Sequence, residues 1–238
     1  MSENGYEFEH EPDLGVDTRP DYLITRAGVE AVCEVKEFAT TAISDALAGS
    51  RVGFLSDKQV FGSVRNQLDA AARQLKPLAS RGLPLVVLLA NPRRADVSLE
   101  PNDVMAAMYG NPAFSIPIGP EGATGEGEYF LDRDGSVTAK HAYLSAVVTL
   151  HEWSLDQDWA DREVKRFEDP WEFIQWAKGE RDAGRVPEGT RRFAHVFHTA
   201  SAADGRATPL PDDLFDGPQD AMWKVVDGAY VQLRGANG

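Results

Sequence analysis

The segment LPLVVLLA at residues 83–90 constrains this chain more than any other stretch. It carries no polar side chain and is bounded by Gly82 on one side and Asn91-Pro92 on the other. It is too short to cross a membrane as a helix and too uniformly apolar for a strand with one wet face. A central strand covered on both faces satisfies it, and that places the chain among α/β folds. Just upstream, Val60, Val64, Leu68, Ala71, Leu75 and Leu78 recur at spacings of three and four, which predicts one apolar helix face from Gln59 to about Ser80, closed by Gly82.

Ahead of that helix, Tyr6 and Phe8 alternate with Glu7 and Glu9, the period of a half-exposed strand. Tyr22–Thr25 and Val29–Phe38 read as two strands joined through Arg26-Ala27-Gly28, an antiparallel hairpin whose glycine suits a tight turn. The order is therefore strand, strand, strand, helix, strand. Beyond residue 95, residues 102–109 suit a short helix and the Gly/Pro-rich span 110–128 reads as a loop. HAYLSAVVTL (141–150) suits a strand or a buried helix. Asp169-Pro170 makes an N-cap and first-turn pair for a helix, and residues 223–233 form a hairpin around Asp227-Gly228.

In a strand, residues two apart share a face, so Glu34 and Lys36 in VCEVKEF stand side by side. A hairpin that turns at residues 26–28 brings Asp21, at the start of its first strand, level with that pair. Two carboxylates and an ammonium thus converge. Oxygen donors of this kind suit Mg²⁺, which keeps several waters and takes only one or two carboxylates; Mn²⁺ can substitute. A lysine there can orient a metal-bound water.

Pro20-Asp21, twelve intervening residues and Glu34-Val35-Lys36 resemble the motif of the PD-(D/E)XK nuclease superfamily, over roughly residues 6–90. The resemblance implies a restriction-endonuclease-like mixed β-sheet flanked by helices, with Asp21 and Glu34 on the metal and Lys36 serving the attacking water. Gln67 and Gln74 also resemble helix glutamines that some branches of the family use near the site. A second Pro-Asp, Pro12-Asp13, precedes Leu14-Gly15 rather than a strand, so Asp21 is the better match. The family opens with a helix that can bring a further glutamate to the metal; here the first strand comes too early for one, and Glu11 or Glu9 is the substitute to examine. The expected organisation is a single domain over residues 1–238, with a nuclease-like core at 6–95 and an α+β extension at 96–238.

Charge supports a nucleic-acid partner only locally. The formal net charge is −14, which repels polyanions on average. Residues 51–94, however, carry eight basic against two acidic groups, directly downstream of the motif. Arg51, Lys58 and Arg65 are the candidate phosphate contacts, the last two lying seven residues apart and so on one side of the helix. The single cysteine, Cys33, excludes an intramolecular disulfide and a cysteine-rich zinc site. With no long apolar span and an acidic start, a cytoplasmic protein without a membrane partner is expected. A homodimer is compatible with this reading.

Other signals carry less. His195 and His198 fall on opposite faces of a strand and lack a third metal ligand at suitable spacing. The tryptophans between 153 and 176 suit a core better than a base-stacking platform. No phosphate-binding glycine loop and no nucleophile elbow is present. Metal-dependent hydrolysis of nucleic acid, DNA above all, is the leading expectation. A non-catalytic nucleic-acid- or protein-binding domain of the same fold is the alternative, and a fortuitous motif whose three residues lie far apart is the third.

Overall fold

The computed structural model describes residues 5–38, 57–92, 97–120, 122–123, 128–132, 137–217, 219–226 and 229–235. Along the chain these form β1 (Glu7–His10), β2 (Tyr22–Arg26), β3 (Val29–Glu37), α1 (Asp57–Leu75), β4 (Leu85–Ala90), α2 (Pro101–Tyr109) and β5 (Asn111–Ser115). There follow β6 (Ile118–Gly119), β7 (Gly122–Ala123), β8 (Glu128–Asp132), α3 (Val137–Lys140) and β9 (Ala146–Ser154). The remainder comprises α4 (Leu155–Glu163), α5 (Pro170–Asp182), β10 (Thr190–His198), α6 (Ala200–Ala203), β11 (Ala221–Val226) and β12 (Ala229–Arg234).

Eight strands make one mixed sheet in the order β1-β2-β3-β4-β9-β10-β11-β12. β1, β2 and β3 run antiparallel in turn, whereas β4 is parallel to β3 and β9 is parallel to β4. The chain is an α/β protein with this sheet at its centre. β4 is the strand that the LPLVVLLA run demanded: Leu85, Val87 and Leu89 enter one apolar cluster and Val86 and Leu88 another, all buried. Each such side chain removed from water contributes about 1.5–3 kcal/mol, so the strand cannot leave the middle of the sheet cheaply.

The two faces are closed differently. On one, Val64, Leu68, Ala71, Ala72 and Leu75 of α1 and Val104, Met105 and Met108 of α2 cover Val32, Val87 and Val147. Of the stripe read from sequence, Val64, Leu68, Ala71, Leu75 and Leu78 are buried there, and the side chain of Val60 lies outside the described residues. On the other, Ala31, Cys33, Val86 and Val148 meet Leu210, Leu214 and Phe215 from the irregular stretch before β11. Among the described residues, helices cover one face of these strands and residues of an irregular stretch pack on the second.

Three further differences have physical causes. The span 110–128 is not simply a loop, because Asn111–Ser115 finds a partner in Glu128–Asp132 and a smaller hairpin forms between them. Pairing partners supplied from thirteen or more positions away are invisible to local composition, and Pro112 is tolerated because a two-stranded ladder leaves outer edges free. Residues 146–150 resolve as strand, since β4 offers a parallel edge along their whole length. Finally, the chain divides into two compact units, residues 1–150 with 194–238, and residues 151–193. Strands β9 to β12, from the part expected as an extension, belong to the same sheet as the strands before residue 95.

In the smaller unit no described residue is buried, and aromatic rings pack against one another instead. Asp169 caps α5 by accepting from the Trp171 amide at 2.8 Å, and Pro170 occupies the first turn. Trp159 and Trp176 stack with ring centroids 5.3 Å apart beside Phe167, so these tryptophans pack, while Trp171 stays 70% exposed. The two strands around 227–228 pair antiparallel, although the turn itself lies outside the described residues.

Candidate active site

The register of the β2–β3 hairpin pairs Tyr22 with Cys33, which leaves Asp21 just past the last rung and level with Glu34. Beyond Tyr22 there is no β2 residue in the ladder to receive the amide of Val35, and the Asp21 carboxylate takes that place: Val35 N donates to Asp21 Oδ2 at 2.7 Å. Asp21 is thus held by its oxygen, with Oδ1 left to other uses. Its main-chain carbonyl accepts from the Glu11 amide at 2.9 Å.

Glu34 and Lys36 share the face of β3 that also carries Val32, the face covered by α1. Lys36 Nζ donates to Glu34 Oε1 at 2.7 Å and to Gln74 Oε1, on α1, at 2.6 Å. Glu34 is only 1% exposed, and its Oε2 is buried without a hydrogen-bond partner among the described residues. Burial pushes the Glu34 carboxyl above its ordinary range; the Lys36 hydrogen bond opposes this and the nearby Asp21 charge adds to it. An orphaned carboxylate oxygen buried beside a second carboxylate is a costly arrangement for a protein to keep for stability alone.

Those donors fit a hard divalent cation. Glu34 offers Oε2 and Asp21 offers Oδ1, two carboxylates of the kind Mg²⁺ or Mn²⁺ takes while retaining waters. A third protein ligand is not assembled: among the described residues no group of three His, Cys, Asp or Glu side chains is placed to hold a metal. Glu11 is exposed, with a positive φ of 49°.

The nucleic-acid contacts expected from sequence fare unevenly. Arg51 lies outside the described residues, as does the side chain of Lys58, whose backbone begins α1. Arg65 is half-buried and engaged within the chain: its Nη2 donates to Ala106 O on α2 at 3.2 Å and its guanidinium lies 5.5 Å from the Phe61 ring centroid. Helix–helix packing against α2 claims that side of α1. Gln67 is half-buried. Gln74, read from sequence only by likeness, is the residue of this set that touches the site. His195 packs edge-on to Trp223 at 4.8 Å, consistent with a core role.

Sequence reasoning missed a second titratable cluster on α1. Asp69 Oδ1 accepts from Lys140 at 2.6 Å and contacts His141 Nε2 at 2.8 Å, while Oδ2 pairs with Arg73 at 2.6 Å. His141 Nδ1 lies 3.0 Å from the Tyr143 hydroxyl, which donates to Ala72 O at 2.8 Å. No local signal could have joined Asp69 to His141 across that sequence separation. Comparison with protein-family models, with curated proteins and with solved structures finds no match to this chain.

Proposed function

We propose that the chain hydrolyses phosphodiester bonds of nucleic acid, DNA being the expected substrate, as a metal-dependent endonuclease with a restriction-endonuclease-like core. The observation that carries this reading is the buried Glu34 carboxylate, unpartnered at Oε2 and flanked by Asp21 and Lys36. Three antiparallel strands followed by a helix and a parallel fourth strand support the same core. Bound by Asp21 and Glu34, Mg²⁺ or Mn²⁺ would supply Lewis-acid stabilisation of the charge that grows on the phosphoryl oxygens. Lys36, steadied by Glu34 and Gln74, has a third N–H to donate, and that donor holds a water for attack on phosphorus. Water adds across the P–O bond, leaving a phosphate monoester and a hydroxyl. The β3–α1 packing keeps Glu34 out of bulk water, and this exclusion strengthens its interactions with charge.

Incubation of supercoiled plasmid with the protein in Mg²⁺, Mn²⁺ or EDTA tests the reading. Nicking is expected with either metal and not with EDTA, and Lys36→Ala is expected to abolish it while leaving the circular-dichroism spectrum intact. A folded wild type that cuts with neither metal favours the second reading, a non-catalytic binding domain. That reading draws on one Asp21 oxygen and two of the Lys36 N–H groups being already engaged by the chain's own groups, and on the net charge of −14.

A further inference from the structure

We infer that Arg19, in the segment leading into β2, contacts the backbone of bound DNA, its guanidinium donating to a phosphate at the site. The inference rests on the nuclease reading above and supplies a phosphate contact that the basic residues of α1 are badly placed to make. Position on the helix is the first argument. Gln74, whose side chain reaches Lys36, marks the flank of α1 that borders the site. Arg65 precedes it by nine residues, about two and a half turns, and so stands on the opposite flank, where it meets Ala106 of α2. The backbone of Lys58 lies roughly 24 Å back along the helix axis from Gln74. Neither place is beside Glu34.

The segment before β2 does border the site. Thr18 Oγ1 donates to the Gln74 carbonyl at 3.2 Å, and the Asp21 carboxylate accepts from the Val35 amide at 2.7 Å. Pro20, between them, is buried. Arg19 is therefore pinned on both sides while its own side chain is exposed. Its Cα is at most about 7 Å from that of Asp21, a distance its long side chain can span. Arg19 makes no hydrogen bond or ion pair among the described residues, although Asp17 stands two positions away. All of its donors are open to a ligand.

Charge is the second argument. Asp21 and Glu34 against the single ammonium of Lys36 leave an excess of negative charge where a phosphodiester must approach. A guanidinium beside them offsets that excess, and its planar fork matches two oxygens of one phosphate.

Anisotropy of a short fluorescent DNA duplex across a salt series tests the contact, with Ca²⁺ in place of Mg²⁺ to limit turnover. Thermal melts verify that variants at this exposed position are folded. Arg19→Ala is expected to weaken binding about tenfold and to lower the steepness of log K against log salt by about one. Arg19→Lys keeps the charge, so it is expected to keep the wild-type slope and to lose less affinity than Arg19→Ala. Wild-type affinity and slope in Arg19→Ala overturn the inference. Weakened binding with an unchanged slope overturns it too, because the substitution would then have disturbed the segment and not a phosphate contact. A wild type that neither binds the duplex nor nicks plasmid overturns the nuclease reading and this inference with it, whereas a wild type that nicks while its duplex binding is independent of Arg19 overturns this inference alone.

Discussion

Asp69 and Glu34 are both carboxylates at the inner border of α1, and the protein treats them in opposite ways. Asp69 receives His141, Lys140 and Arg73, and those partners, His141 first, pull its carboxyl down to about 2 despite some burial. Glu34 receives one ammonium, keeps an oxygen with no partner, and is pushed up by burial. Asp69 is a fastening between α1 and the residues that precede β9; Glu34 is a charge held at a cost. Perturbation by desolvation with an unmet oxygen marks a functional candidate, while perturbation by saturation marks a structural one.

The largest effect expected from this contrast is on catalysis. Glu34→Gln should lower plasmid nicking by at least about a hundredfold, while leaving the protein equally stable or up to about 1 kcal/mol more stable, since no buried carboxylate need ionise. Urea melts and nicking rates on the same preparation measure both. A clear loss of stability would make Glu34 a fastening like Asp69 and dissolve the distinction.

Asp69→Ala should do the reverse. It strips three partners of their acceptor and leaves His141 buried beside an emptied position, for a loss of about 2 kcal/mol. Nicking per folded molecule should be unchanged. A nicking defect at temperatures where the variant is folded would draw Asp69 into the site.

Acid titration separates the two by sign. For Asp69 the folded value lies below the ordinary 3.8, so its contribution is present above that value and is lost as pH falls toward about 2. For Glu34 the folded value lies above the ordinary 4.5, so the stability it contributes is complete below 4.5 and is lost as pH rises through the raised value. Urea midpoints from pH 2 to 8 should therefore show a weakened acid limb in Asp69→Asn and a weakened decline on the other side in Glu34→Gln. Parallel curves for wild type and both variants would remove the opposition.

The smallest effect is on metal-linked stability. Millimolar Mg²⁺ or Mn²⁺ should raise the wild-type melting midpoint by an amount equivalent to about 1 kcal/mol, because only the folded state holds both carboxylates together. Asp21→Asn should reduce that gain and Asp69→Asn should not. Equal shifts in all three proteins would take the cation away from Asp21.

Much of the arrangement was readable in one dimension because its geometry is periodic. The spacing of Glu34 and Lys36 is the period of a strand, and Asp21 follows from the turn at residues 26–28 and the antiparallel register. The α1 stripe follows from the period of a helix. Arg65 was placed on one side of the helix with Lys58 by their spacing of seven, but nothing local says that it also reaches α2. Gln74 was legible only by likeness, since its value depends on meeting Lys36 across the β3–α1 interface.

Sequence alone determined that 83–90 is a central strand, that α1 buries one stripe, and that Asp21, Glu34 and Lys36 gather at one end of a hairpin, because each follows from an elementary period acting over a few residues. Only the tertiary structure decided that one Glu34 oxygen is left bare while Asp69 is saturated, that residues 111–115 find a partner strand, and that residues 151–193 separate as a unit. Those outcomes depend on which distant groups fill the space beside a side chain. Burial and pairing are properties of that filled space, and no local pattern contains them.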